Sequence, residues 1–177
     1  MKRRHVFSGR VVDLGIEEAR LPDGRRVELE VIRHPGAAAV VPIHRDGTVT
    51  LVHQYRHAGG GMFFEIPAGL IEAGEDPRLC AARELAEEVR LRAGRLDLLV
   101  PLHTTPGFTD EVIHIFLGRE LEPTPGELDP DEFLRPTRLP LENAIAMIEK
   151  GEITDSKTIC GLLLALRKLG SPQISQV

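Results

Sequence analysis

Two apolar runs, Ala37 to Ile43 and Thr48 to Gln54, stand on either side of Arg45-Asp46-Gly47 and limit what this chain can fold into. Strands with so little polar alternation belong in the middle of a sheet covered on both faces, and Asp-Gly between two strands favours a hairpin. Upstream, Val6 to Arg20 and Arg26 to Arg33 are strand-like about Pro22-Asp23-Gly24, which predicts an N-terminal antiparallel hairpin. Phe63 to Pro67 extends the sheet briefly. The period then changes. From Asp76 to Arg90 the apolar positions Ala81, Ala82, Leu85 and Val89 form a helical stripe, with Asp76 as a cap and Pro77 at the first helical position. Leu96 to His103, Val112 to Leu117 and Glu132 to Arg138 read as further strands, and helices follow near Leu141 to Lys150 and Ser156 to Leu169. Mostly antiparallel strands with helices late in the chain predict an α/β (α+β) fold, a mixed sheet flanked by helices.

At 177 residues with 42% hydrophobic content, the chain suits a single domain, 1–177. No internal repeat or low-complexity tract is visible. A net charge of −5 with both signs interspersed argues against a long nucleic acid as partner. The basic start Met1-Lys2-Arg3-Arg4 leads into Val6-Phe7-Ser8-Gly9-Arg10 rather than an apolar core, and no run is long enough to span a bilayer. A cytoplasmic protein without a membrane partner is expected. Cys80 and Cys160 lie in helical stretches and read as reduced thiols without a role.

Chemistry enters with Glu84, Glu87 and Glu88, at i, i+3 and i+4 of the helix. Three carboxylates on one face repel, so something cationic must offset them. Hard divalent ions prefer carboxylate oxygens, and Mg²⁺ commonly takes one or two of them with water and substrate phosphate. For these three residues alone, a solvated acidic surface face is the simpler explanation.

The wider spacing favours the metal reading. Gly69, Glu75, Arg83, Glu84, Leu85, Glu87, Glu88 and Leu91 match the Nudix box, and the chain is identified as resembling the Nudix hydrolases. One position departs: Arg90 stands where that family has glycine, so either the local turn differs or the helix runs on toward Gly94. The resemblance implies a Nudix-type α/β/α sandwich and hydrolysis of a pyrophosphate bond with Mg²⁺, Mn²⁺ being the alternative ion. It gives Glu84 and Glu88 the role of principal metal ligands, with Glu87 as a third ligand or a holder of metal-bound water. The Ala68 carbonyl is similar to one that completes the metal site in that family, and Arg83 resembles the residue that orients the glutamates by ion pairing. Glu75 is structural or an outer-shell group.

Beyond the box, four stretches resemble the ADP-ribose pyrophosphatase branch of that family. These are His34-Pro35-Gly36-Ala37, Gln54-Tyr55-Arg56, Glu65-Ile66-Pro67-Ala68-Gly69 and Pro106-Gly107-Phe108-Thr109-Asp110-Glu111. The branch implies that Glu111 handles the attacking water and that Arg56 contacts substrate, with Glu65 and Glu72 pairing with Arg56 or with ribose hydroxyls. The substrate is then a nucleoside diphosphate-linked small molecule: ADP-ribose first, another sugar nucleotide such as GDP-mannose second. A Nudix domain that only senses a nucleotide is the non-enzymatic alternative. The branch also implies a homodimer held by the N-terminal hairpin, 1–35, beside a catalytic core, 36–177. In that hairpin Glu28 and Glu30 stand where a basic, base-holding residue is usual, so base recognition is left open.

Overall fold

The protein is described by a computed structural model covering residues 2–126 and 133–170. Its N-terminal part is a three-stranded meander rather than a hairpin: β1 (Arg3–Ser8), β2 (Asp13–Arg20) and β3 (Arg26–Arg33), all antiparallel. The expected strand from Val6 to Arg20 reverses at Gly9, whose N–H donates to Val12 O at 2.8 Å. Ser8-Gly9 is a turn dipeptide inside an otherwise strand-like run, and local turn chemistry outweighed the alternation.

The second expected hairpin also resolves differently. β4 (Ala37–Pro42) and β5 (Thr48–Arg56) share only the isolated bridge Ile43 to Val49 and part into two sheets. β4 is buried along its whole length, so both of its edges take partners. It pairs antiparallel with the short β7 (Ala68–Leu70), which the sequence reading missed, and parallel with β9 (Val112–Pro123). β8 (Leu91–His103) completes this mixed sheet in the order β7, β4, β9, β8. β5 instead lies between β10 (Leu134–Pro140) and β6 (Gly61–Glu65) in an antiparallel sheet. The expected start of the last strand, Glu132, lies outside the described residues.

Alternation along β4 sends its side chains to two separate cores. Ala38 and Val40 pack with Cys80, Ala81, Leu85 and Val89 of α1 (Pro77–Val89). Ala37, Ala39 and Val41 pack on the other face with Ala144 of α2 (Leu141–Glu149) and with Leu162 and Ala165 of α3 (Ser156–Gly170). The small side chains of β4 let helices approach from both sides, giving the expected α/β/α layering. Among the described residues no helix is long and apolar enough to cross a membrane.

Helix α1 starts as its sequence predicts, with the Asp76 side chain accepting from Arg78 N and Pro77 next in line. At its end neither sequence expectation holds. The helix stops at Val89, and Arg90 itself takes the left-handed conformation, φ 54° and ψ 42°, with its N–H donating to Ala86 O. A glycine would adopt this geometry without strain, so arginine here costs about 1 kcal/mol. The Arg90 carbonyl accepts from Thr124 N at 3.0 Å, one contact that holds the strained residue in place.

Candidate active site

The Glu84 and Glu88 side chains are not on an exposed face. They are 7% and 2% exposed, turned inward with the apolar stripe and packed toward β7. This corrects the solvated-stripe picture: α1 presents them to a strand too short to stand out in the sequence. A Cβ built on Gly69 would fall 2.0 Å from Glu84 Oε1, so only glycine lets that carboxylate rest against β7. Glu88 Oε2 accepts from the Ala68 N–H at 3.1 Å.

The offsetting cation is Arg83. Its Nη1 donates to Glu84 Oε1 at 2.6 Å and to Glu87 Oε2 at 3.0 Å. Its Nε and Nη2 both donate to Glu75 at 3.1 Å, and Nη2 also reaches Leu70 O at 3.0 Å. The fan of guanidinium donors ties β7 to the helix and holds three carboxylates at once. Hydrogen bonding from Arg83 is the main cause that brings the Glu75 carboxyl down to about 2, well below the ordinary carboxylate range. Glu75 therefore belongs to the support of the site. Cys80, buried beneath this cluster, has its thiol pushed up to about 12 by burial, which leaves it an inert packing residue.

A cleft of about 610 Å³ opens over this cluster, and Arg56, Ala68, Glu72, Arg83, Glu84 and Glu111 line it together. Glu65, Glu87 and Glu88 stand behind or beside it. Among the described residues no three carboxylate, imidazole or thiol groups converge into a closed metal cage. The donors present are buried carboxylate oxygens next to the Ala68 backbone. That hard, incomplete set fits an ion such as Mg²⁺, which keeps water and substrate phosphate among its ligands.

Arg56 closes the far wall. Its Nε and Nη2 donate side-on to Glu65 Oε1 and Oε2, both at 2.9 Å, so of the two suggested partners it is Glu65 that pairs with it. Burial alone would raise the Glu65 carboxyl, but Arg56 and Lys157 outweigh it and the net shift is downward. Glu72 instead donates its backbone N–H to Glu75 Oε2. On the loop before β9, Glu111 Oε2 accepts from the Thr104 hydroxyl at 2.6 Å. His34 Nδ1 lies 3.6 Å from Glu111 Oε1, yet it accepts from Gly36 N at 3.1 Å, so in that tautomer it offers Glu111 no proton.

Sequence reasoning missed Arg10, Val11, Gln54 and Lys157, all of which line the cleft. Arg10 and Val11 sit on the β1–β2 reversal, which is invisible if Val6 to Arg20 is read as one strand. Lys157 lies in Ile153-Thr154-Asp155-Ser156-Lys157-Thr158, a run that is family-like in sequence but by itself gives the lysine no role. Glu28 and Glu30, by contrast, are exposed on β3 and do not line the cleft.

A family model described as the NUDIX domain matches residues 33–161. An ADP-ribose pyrophosphatase from Bacillus subtilis (strain 168) is 40% identical over 88% of this chain and 85% of its own length. A methanol dehydrogenase activator from Bacillus methanolicus is likewise 40% identical, over 90% of this chain and 87% of its own. A solved structure described as an ADP compounds hydrolase superposes with a TM-score of 0.82 at 25% identity, covering 96% of this chain and 92% of that one.

Proposed function

Because this chain belongs to the NUDIX family and is a pyrophosphohydrolase, we propose that it hydrolyses ADP-ribose to AMP and ribose 5-phosphate with Mg²⁺, or Mn²⁺ in its place. The observation that carries this is one cleft shared by Glu84, Arg83, Arg56 and Glu111. Glu84, Glu88 and the Ala68 carbonyl would hold a divalent ion, which would supply charge neutralisation at phosphate oxygens and a site for water.

The protein's own groups do the rest. Arg56 Nη1 makes no hydrogen bond among the described residues and is the donor available to a phosphate or ribose oxygen. Arg83 fixes Glu84 and Glu87 so that their carboxylates do not spread apart under mutual repulsion. Glu111 takes the proton from a water that attacks one phosphorus. The new P–O bond forms as the bridging P–O bond breaks, and the departing phosphate leaves with its ribose.

The relative named as a methanol dehydrogenase activator has the same identity as the ADP-ribose pyrophosphatase, while a GDP-mannose pyrophosphatase is 32% identical, so likeness supports ADP-ribose over GDP-mannose. The complete set of Glu84, Glu87, Glu88 and Arg83 favours catalysis over sensing. Products identified from ADP-ribose, GDP-mannose, NADH and diadenosine polyphosphates, each with Mg²⁺, test the reading. AMP and ribose 5-phosphate should dominate in kcat/KM. A higher kcat/KM on GDP-mannose would transfer the function to another sugar nucleotide.

The meander at 1–35 is the proposed dimerisation element of this single-domain chain, because Val6, Phe7, Val12 and Leu29 on it are exposed. Light scattering should give a homodimer for the full chain and a monomer once 1–35 is removed; a full-length monomer at micromolar concentration would sink the idea. The free thiols Cys80 and Cys160 suit the reducing cytoplasm in which we place the enzyme.

A further inference from the structure

We propose that Lys157 is a positioning residue for substrate binding: it shares the Glu65 carboxylate with Arg56 and so leaves Arg56 facing the cleft as a cation with an open donor. The proposal rests on the reading of Arg56 as the substrate clamp.

Four groups of alternating sign run from the cleft wall through the buried pair Glu65 and Lys157 to the partly exposed Asp155. Arg56, 43% exposed at its side chain, grips Glu65; Lys157 Nζ donates to Glu65 Oε2 and, at 3.1 Å, to Asp155 Oδ2. Asp155 Oδ2 in turn accepts from Thr158 N at 2.9 Å and from its hydroxyl in the first turn of α3. Glu65 is 3% exposed and Lys157 7% exposed, so neither charge is held by water. A buried carboxylate facing a single arginine would neutralise it and draw it inward to satisfy its remaining lone pairs. A second buried cation on Oε2 removes that demand. Arg56 then needs to offer Glu65 only its Nε and Nη2, and Nη1 stays turned away from the pair.

The backbone keeps this geometry in place. Thr158 Oγ1 accepts from Ile66 N at 2.9 Å, so the residue after Lys157 is tied to the residue after Glu65. The lysine and the carboxylate therefore cannot drift apart without unseating α3 from the β6–β7 connection.

A double-mutant cycle on ADP-ribose hydrolysis at saturating Mg²⁺ tests this, using Arg56→Ala, Lys157→Met and the two combined. Lys157→Met should raise KM about tenfold with kcat changed less than about twofold, the scale of one lost charge-assisted contact to substrate. In the Arg56→Ala background, which should itself show a raised KM, adding Lys157→Met should change KM by less than about twofold. Full additivity would mean that Lys157 meets substrate directly, and an unchanged KM with only a lower Tm would make it structural; either result overturns the proposal. If Arg56→Ala leaves KM unchanged, the clamp reading fails and takes this one with it. If Arg56→Ala raises KM and Lys157→Met does not, the lysine proposal alone fails. Lys157→Gln, which keeps a donor without the charge, covers the case of a misfolded methionine variant: a KM equal to that of the parent would again overturn the role.

Discussion

Replacing Glu88 or Glu84 by glutamine is expected to lower kcat by roughly a thousandfold, the upper end of what one group stabilising transition-state charge supplies. Glutamine keeps the shape and an acceptor oxygen, so the bond from Ala68 N to position 88 survives while the negative charge that attracts a divalent ion does not. The burial of both side chains changes what accompanies this loss. Relief of repulsion on a solvated face is no longer the relevant effect, since Glu84 already has the Arg83 cation at 2.6 Å and Glu88 is 2% exposed. The melting temperature should stay within a few degrees of the parent, because a neutral amide in place of a carboxylate loses charge pairing but avoids desolvating an ion. Turnover at saturating ADP-ribose across an Mg²⁺ series, with circular dichroism on the same samples, is the measurement. Near-parental activity at limiting Mg²⁺ in either variant would move the metal away from α1.

Glu111→Gln is the second large effect, a fall in kcat of roughly two to four orders of magnitude with KM and Mg²⁺ affinity little changed. Glu111 faces the cleft from a loop, away from α1, and Thr104 holds one of its oxygens at 2.6 Å. Glutamine can keep that contact, so loss of the base is separated from loss of loop structure. Recovery of kcat at high Mg²⁺ would instead make Glu111 a ligand. An unchanged kcat with reduced thermal stability would leave it only the Thr104 tie, and no part in the chemistry.

The elements legible in the sequence were those whose signals are local. Asp76-Pro77 opens α1 where capping chemistry puts it, and the box residues mark the helix that carries the carboxylates. Strand pairing was less legible because it is decided by partners far along the chain. Nothing in Ala37 to Gln54 shows that β4 will prefer β9, some 75 residues on, to its neighbour β5. β7 has three residues and no alternation to reveal it, yet it turns Glu84 and Glu88 from surface groups into buried ones. Arg90 shows the limit in the other direction: glycine's absence suggested a different turn, and the surrounding contacts impose the left-handed geometry on arginine.

Residues 65 to 69 touch the arginine wall, α3, β4 and the buried carboxylates of α1 in turn. Glu65 grips Arg56, Ile66 N bonds Thr158 of α3, Pro67 O receives Val40 N from β4, Ala68 N holds Glu88, and Gly69 lies under Glu84. Five consecutive residues therefore act as a ruler. The separation between Arg56, the proposed substrate clamp, and Glu84 and Glu88, the proposed metal ligands, is set along this segment in peptide units. A longer or shorter linkage between reacting phosphate and gripped group cannot be met by sliding either end. On the proposed reading, differences in substrate choice would then arise at Arg10, Val11 and Phe133, which line the same cleft outside this segment.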